Sequence, residues 1–496
     1  MKKPPALTLT AQCLTLTFVL AASHLSYADL SDLEGEFTSQ LEEYSAASVQ
    51  GTYAVLQEHG CTDEQRGATQ ACDEATFRTW STVRELVHTA NDLTGAGPTL
   101  YSLGLDLEGL GFAMRWTAGE EFSTQGDMST NFLRGQMTGL ASRMTALRGG
   151  TGSIAMGATN QNNLIALGHE GPLGGGAGSD LNAQWSRWGF FLNADYTSGD
   201  RTATEREDAF DFDGTAINTG VDYRFSLNWV GGVMLGHQSE TVEFDPNQSI
   251  VEGTVDMTGL SLQPYMLYSG ERLFFSAAVG FQSMDFDTER TISYPSLNPQ
   301  IESTDTVAIS GTSASSYTFS STLGYSFFQH SAFGMEPFVA LNYRNVSVDG
   351  YSETDIENEG HAFIVAEQSF GSTESTLGLK FNYLLTPNYG VFIPYVDIEY
   401  RTQHDTAPRQ INAQYVDVAD IVAGESATVF SLPTDELDSN YMTFTVGMSA
   451  VLRGSSQKNA DGAASGGLQA FIQYREFINL EYYNQSQISG GLRYEF

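Results

Sequence analysis

The sequence predicts an all-β membrane barrel of twelve antiparallel transmembrane strands with an α-helix in its lumen, preceded by a small α-helical N-terminal region. Three observations predict it. Residues 186 to 496 hold twelve segments, mostly 14 residues or longer, in which apolar and polar side chains alternate. The polar face of those segments repeatedly carries charge, including Arg224, Arg344, Arg401, Arg475 and Arg493, as a water-filled lumen permits. The last residues, SQISGGLRYEF, continue the alternation of the twelfth segment with an aromatic at its end, so a closed barrel is expected, in which the last strand pairs with the first.

Composition limits the alternatives. Only 17% of the 496 residues are charged, yet 60 acidic residues against 23 basic ones give a formal net charge of −37. So acidic a chain repels phosphate backbones, which argues against nucleic acid as a partner. Hydrophobic content is 41%, but beyond residue 25 no run approaches the roughly 20 apolar residues of a membrane helix. Strands are then the spanning elements.

The N-terminus has the pattern of an export signal over residues 1–28. Lys2 and Lys3 precede the mostly apolar stretch Ala6 to Ala22, and Ser26-Tyr27-Ala28 offers small residues for cleavage after Ala28. Cys13 lies within it, preceded by Gln12 where a lipid-anchoring site would have Gly or Ala. Removal of the signal leaves Cys61 and Cys72, which predicts one disulfide in an oxidising compartment.

Residues 29–125 are expected to form a small helical domain. Leu30, Leu33, Phe37, Leu41 and Tyr44 recur at helical spacing, as do Phe77, Trp80, Val83, Val87 and Ala90 behind acidic Asp73 and Glu74. The disulfide would staple these two helices. The glycine-rich stretch from Gly95 to Gln125 yields no assignable element. Residues 126–150 predict the lumen helix: Leu133, Met137, Leu140, Met144 and Leu147 form one stripe, and Arg134, Arg143 and Arg148 make it basic. With Asp127 or Ser129 as cap and Gly149 as stop, a helix from Ser129 to Arg148 is about 30 Å long, close to a bilayer's hydrocarbon thickness. A glycine-rich linker occupies 151–185.

The barrel is expected over 186–496, with strands near 186–198, 212–226, 228–243, 252–268, 272–288, 307–328, 333–350, 363–385, 389–403, 438–453, 466–480 and 482–496. Aromatics near segment ends (Trp188 and Tyr196, Tyr265 and Tyr268, Tyr383 and Tyr389) predict interfacial girdles. Acidic stretches at 285–289, 353–359 and 435–438 are expected in solvated loops. In the terminal strand, Ile488, Leu492, Tyr494 and Phe496 would face lipid, and Arg493 and Glu495 the lumen.

Residues 127–496 resemble the translocator domain of type V autotransporters. The resemblance rests on GLASRMTALRGG (139–150), RWGFFLNADYTSGD (187–200), AFDFDGTAINTGVDYRF (209–225) and the terminal GGLRYEF. It implies that the helix threads the lumen and that the preceding segment is displayed at the surface of a Gram-negative cell. It also implies that the export translocon delivers the chain and that the barrel-assembly machinery reads the terminal strand. A monomeric barrel among outer-membrane lipids and lipopolysaccharide follows. Facing the basic helix, Asp195, Asp222, Asp397 and Glu399 are the candidate luminal carboxylates. Two departures from the family stand out. The N-terminal domain is small and without repeats. Thr138-Gly139 stands where self-cleaving members carry two asparagines, and the Asn162-Asn163 pair lies beyond the helix, so no self-cleavage is expected. The alternative is a non-secretory barrel plugged by its N-terminal segment. No G-x-S-x-G, G-D-S-L or H-E-x-x-H motif is present, and Asp208 to Gly214 lacks calcium-loop spacing, so no catalytic residue, metal or cofactor is expected.

Overall fold

The computed structural model describes residues 30–151, 187–226, 228–245, 249–328, 331–387, 390–421, 428–453, 457–458, 464–465 and 467–495. The expected signal, Asn162-Asn163, Tyr389, Phe496 and nearly all of the linker lie outside them, as does the side chain of Arg148.

Twelve strands form the wall: β1 (Trp188–Arg201), β2 (Phe210–Arg224), β3 (Trp229–Phe244), β4 (Gly253–Ser269), β5 (Leu273–Tyr294), β6 (Thr304–Tyr325), β7 (Phe333–Val348), β8 (Gln368–Tyr383), β9 (Val391–Gln403), β10 (Asn440–Arg453), β11 (Leu468–Ile478) and β12 (Tyr483–Glu495). Each pairs antiparallel with the next, and β12 pairs with β1 from Gly189↔Glu495 to Arg201↔Tyr483. The ring is closed and has no free edge, the condition under which a sheet can cross hydrocarbon. All twelve expected strands are present.

The two ends of the barrel differ. Where β1 starts and β12 finishes, most connections are tight, such as 225–228 and 270–272. The opposite end carries the long connections 349–367 and 404–439. In outer-membrane barrels short turns are periplasmic and long loops extracellular. The long connections pair into a small lid sheet of four strands, Tyr351–Ser352, Phe363–Val365, Gln410–Tyr415 and Phe430–Pro433.

The alternation of side chains reverses its phase along the strands. On the short-turn half of β4, Leu260, Leu262 and Met266 point outward and are exposed, while Ser261 and Gln263 are buried inside. On the long-loop half, Asp256 and Thr258 point outward, while Val255 and Met257 are buried inside. On β5, outward Phe281 gives way to outward Asp285, Asp287 and Glu289, with Met284, Phe286 and Ile292 inside. The acidic run 285–289 therefore lies on a strand, not in a loop. On β2 the outward series changes from Val221 and Ile217 to Asp213 and Asp211. The strand geometry is constant, so the surroundings must change. Below the reversal the outside is hydrocarbon and the inside is wet; above it the outside is water and the inside is a packed core. From Leu260 to Tyr268 the strand rises about 27 Å, or about 21 Å along a tilted barrel axis, close to the height of an outer-membrane apolar band. Aromatic rings rim its short-turn edge, with Trp188 against Tyr223 and Trp229 against Tyr268 at centroid distances of 4.8 and 5.0 Å. Tyr265, expected in a girdle, instead points into the lumen because it is out of phase with Tyr268.

The N-terminal region contributes a 3₁₀ turn at Leu30–Leu33 and four helices: α1 (Gln40–His59), α2 (Glu74–Thr94), α3 (Leu107–Thr117) and α4 (Glu121–Thr151). The apolar stripe from Leu30 to Tyr44 is not one helix. Gly35 takes a left-handed φ of 81°, and the Ser39 side chain accepts from Glu42 N–H to start α1 afresh. Asp73 caps α2 in the same way, and Cys61 is bonded to Cys72 in the connection between α1 and α2. The unassigned stretch contains α3, capped by Asp106. The lumen helix does not begin at Asp127 or Ser129 but at Glu121, because loops of the barrel mouth supply hydrogen-bond partners for its first turns. It is therefore about 46 Å long rather than 30 Å, and the helix runs unbroken across the expected 125/126 domain boundary.

Above the phase reversal the helices and strands share one core. Leu56, Trp80, Val83, Leu86, Leu110 and Met114 from α1 to α3 belong to the same buried cluster as Phe286, Ile292, Tyr294, Phe363, Tyr415 and Phe430. The helical domain thus fills a cup formed by the strand extensions and the lid sheet.

Because Leu262 lies between Leu235 and Phe281 in register, it sits within the apolar band. Leu262→Arg is expected to destabilise the barrel by about 2–4 kcal/mol, whereas Asp256→Arg on the same face changes stability by less than about 1 kcal/mol. Urea unfolding of the two variants in lipid vesicles measures the difference; equal effects would place the boundary elsewhere.

Candidate functional site: the lumen helix and the docked helical domain

α4 starts beneath the lid, where the Phe122 ring meets Tyr351 and Phe363 edge-on at 6.1 and 6.0 Å. Gln125 Nε2 donates to Tyr351 Oη at 2.9 Å. Asp127 accepts from Arg409 Nη2 at 3.0 Å and from Tyr483 Oη at 2.7 Å. One turn further, Phe132 faces Gly259, where an added Cβ would come within 3.0 Å of the ring. The glycine leaves room for the helix to pass.

In the membrane band most helix contacts are polar but uncharged. Gln136 Oε1 accepts from Ser261 Oγ at 2.7 Å and Gln263 Nε2 at 3.3 Å. Thr138 Oγ1 accepts from Arg475 Nη1 at 2.8 Å, and Ser142 Oγ from Gln473 Nε2 at 2.9 Å. Gly139 lies against Asn218, with an added Cβ only 3.1 Å from Nδ2. Near the short-turn end, Leu140, Met144 and Leu147 pack on Phe191, Val230, Met234 and Leu267. Leu133 is also fully buried, and Met137 borders the free part of the lumen.

Among the described residues only one of the four candidate carboxylates meets a helix arginine. Asp222 pairs with Arg143 and also accepts from Arg493 Nη2 at 2.9 Å, while Arg493 pairs with Glu495. Asp195 instead accepts from Asn218 Nδ2 at 3.1 Å. Glu399 is held by Arg401 of its own strand at 2.5 Å and by Thr443 at 2.9 Å. Asp397 lines free luminal space. The helix packs most closely on β4 and also on β3, β5 and β7, and β9, which carries Asp397 and Glu399, makes no comparable contact with it. Arg134 bonds Gln485 Oε1 at 3.2 Å and lies over the rings of Tyr441 and Phe477. The reading from sequence sought charge pairs and missed Gln136, Thr138 and Ser142; their only signal was that polar side chains interrupt the helix's apolar stripe at helical spacing.

In the terminal strand, Ile488, Leu492 and Tyr494 point outward at 51%, 52% and 42% exposure, and Arg493 and Glu495 are buried inside.

The helical domain is tied to the mouth by directed bonds. Arg78 grips Asp417 through Nε at 2.9 Å and Nη2 at 3.1 Å. Thr82 Oγ1 donates to the Glu359 carbonyl at 2.7 Å, Leu297 N–H donates to the Leu103 carbonyl at 2.8 Å, and Arg115 faces both Glu120 and Asp208. Inside the domain, Tyr53 stacks on Trp80 at 4.8 Å and donates to Asp63. His88 Nδ1 accepts from Tyr101 N–H at 3.1 Å, so Nε2 carries the proton facing Asp63. His88 and Arg84 are fully buried and serve packing. Burial pushes the Glu85 carboxyl up to about 7, against the pull of Arg84 and with repulsion from Glu359 adding to it. Among the described residues no group of three or more His, Cys, Asp and Glu can hold a metal ion.

The family profile described as Autotransporter beta-domain matches residues 190–461. Among solved structures, the chain is similar to the translocator domain of autotransporter NalP from Neisseria meningitidis, at 11% identity over 69% of this chain and 96% of that one, with a TM-score of 0.43. The beta domain of the Bordetella autotransporter BrkA matches at 14% identity over 62% and 100% of the two chains, TM-score 0.40. The transport unit of AIDA-I from Escherichia coli matches at 11% over 69% and 99%, TM-score 0.37. No curated protein matches the chain.

Asp222 balances two arginines, and Asp222→Asn leaves both buried without it. It is expected to cost about 3–5 kcal/mol, while Arg143→Gln, which leaves Asp222 paired with Arg493, costs about 1–3 kcal/mol. Unfolding midpoints in detergent compare the two, and equal losses would refute the shared-carboxylate arrangement. Glu85 gives a pH signature. Its folded pKa lies above the ordinary 4.5, so its favourable protonated form is fully present below 4.5 and is lost as pH rises through about 7. Glu85→Gln is expected to stabilise the helical domain at pH 8 by on the order of 2 kcal/mol and to change little at pH 4. Protease resistance of the domain at the two pH values checks this.

Proposed function

Because this chain belongs to the autotransporter β-domain family, we propose that it carries its own small helical domain through the outer membrane and keeps it docked on the cell surface. One observation carries the reading. The helical domain packs at the long-loop end of the barrel, and α4 leads from it through the lumen to the short-turn end, where β1 begins. In outer-membrane barrels the long loops are extracellular, and a chain so threaded has its N-terminal part outside. A domain left in the periplasm would sit at the short-turn end.

Retention follows from the same packing. The domain shares its core with the barrel mouth, so its release would expose Phe286, Ile292 and Phe363 to water. The peptide Thr138-Gly139 carries no asparagine, so the helix lacks the residues that self-cleaving members use. On this reading residues 29–125 are a tethered surface domain, 126–150 the lumen helix and 186–496 the anchor. The outward Ile488, Leu492 and Tyr494 of β12 then form the strand face offered to the assembly machinery and afterwards to lipid. The domain also seals the mouth, and this favours, as a second reading, a plugged barrel without a delivered ligand-binding surface.

An epitope tag after Asp29 separates surface display from periplasmic retention. Labelling of intact cells, with one full-length band on a blot from a protease-deficient host, is the expected outcome. Labelling only after permeabilisation would overturn display, and a separate barrel fragment would overturn retention.

A further inference from the structure

α4 does not fill the lumen. Towards β5–β9 and β11, a cavity of about 70 Å³ remains beside the helix. Its charged lining consists of Arg134, Arg344, Arg401 and Arg475 against Glu374 and Glu399, four positive groups against two negative ones.

The pairing of these groups is uneven. Arg401 holds both glutamates, with Glu374 at 3.0 Å and Glu399 at 2.5 Å. Glu374 also attracts Arg344 and Arg134 at longer range, and Glu399 attracts Arg475, so two carboxylates are shared among four arginines. Arg344 is 5% exposed; among the described residues its one hydrogen bond runs from Nη2 to Ser372 Oγ at 3.4 Å, and its Nε has no partner. Its register neighbours are Thr318 and Ser372, neither of them acidic. Arg475 bonds two threonine hydroxyls, and its register neighbours are Thr445 and Gln487. Arg134 bonds Asn131 and Gln485, and its Nε is likewise buried without a partner. Among the described residues these three guanidinium groups have no carboxylate within 4.0 Å, although acidic residues outnumber basic ones 60 to 23 in the chain. An uncompensated buried charge is expensive. Planar guanidinium forks with free donors fit the oxygens of a tetrahedral oxyanion. The lower part of the same space brings in Glu336, Lys380 and Asp397 beside Arg475 and Glu399, which removes the positive excess there. The favourable position for an anion is therefore the upper part, between Arg134 on α4 and Arg344 on β7.

We propose that the free side of the lumen is a binding site for a small inorganic oxyanion of the phosphate or sulfate class, held chiefly by Arg344 and Arg134. The anion would complete the charge balance that the wall leaves open and would brace α4 against β7.

The test uses the full-length protein, purified in detergent and freed of phosphate, with inorganic phosphate as the probe in equilibrium dialysis. One saturable site per barrel is expected. Arg344→Gln lowers the affinity at least roughly tenfold, and Arg344→Lys, which keeps the charge but loses the fork, lies between it and the wild type. Arg272→Gln removes the same unit of charge at an exposed position on the short-turn rim and leaves binding unchanged. Heat-dependent gel mobility confirms that each variant is folded; if Arg344→Gln does not fold, Arg344→Lys and Arg134→Gln carry the comparison. Absence of saturable binding to the folded wild type overturns the proposal. So does an equal loss in the Arg272 and Arg344 variants, which would reduce binding to overall charge.

Discussion

Pairing of β12 with β1 is the interaction on which the rest of the molecule depends. In hydrocarbon an unpaired backbone N–H or C=O costs several kcal/mol, and a sheet avoids that cost only by closing. The thirteen residue pairs from Gly189↔Glu495 to Arg201↔Tyr483 achieve this closure. Closure fixes which side chains point inward, and it creates a lumen that must be wet, filled or both. α4 answers that requirement. Its contacts with the wall are carboxamides and hydroxyls, an apolar patch around Leu140, Met144 and Leu147, and ion pairs at Asp127 and Arg143, which together satisfy a partly polar interior.

The same strands serve two solvents. Below the phase reversal their outer face meets lipid, and above it their inner face meets protein. The upper parts of β2 to β6 are therefore not loops lying loosely on a barrel but the wall of a cup. α2, with Trp80, Val83, Leu86 and Ala90 fully buried, is surrounded on nearly all sides. A three-helix segment of this size has little core of its own and takes much of its apolar contact from the barrel mouth. This explains why a small domain can remain in place without its own large fold, and it ties the stability of the helical domain to that of the barrel.

Charge is distributed by the same division. Carboxylates such as Asp211, Asp256, Asp285 and Asp287 face water on the outside of the cup, where solvation is cheap. Most of the barrel's arginines on the strands point inward. Arg493, beside the helix, shares Asp222 with Arg143 of α4, and among the described residues Arg344 and Arg475, facing the free side, have no ion pair.

Sequence alone determined the twelve strands, their inward and outward faces within the membrane band, the lumen helix and the cysteine pair. Each of these is written in a local period or spacing: two for strands, 3.6 for helices, a step of eleven positions from one cysteine to the next. It did not determine how far the lumen helix extends, because residues 121–128 are held by Tyr351, Arg409 and Tyr483, which are remote in sequence. It did not determine which carboxylate Arg143 would meet, because that depends on the side of the barrel against which the helix leans. Nor did it reveal the cup. The phase reversal is visible in β4 and β5 once the surroundings are known, but alternation by itself has no sign, and only the packed helices decide which face is the inside of a core. Periodicity reports the backbone's own geometry, whereas contacts across the lumen and the mouth are set by the closure of the whole ring.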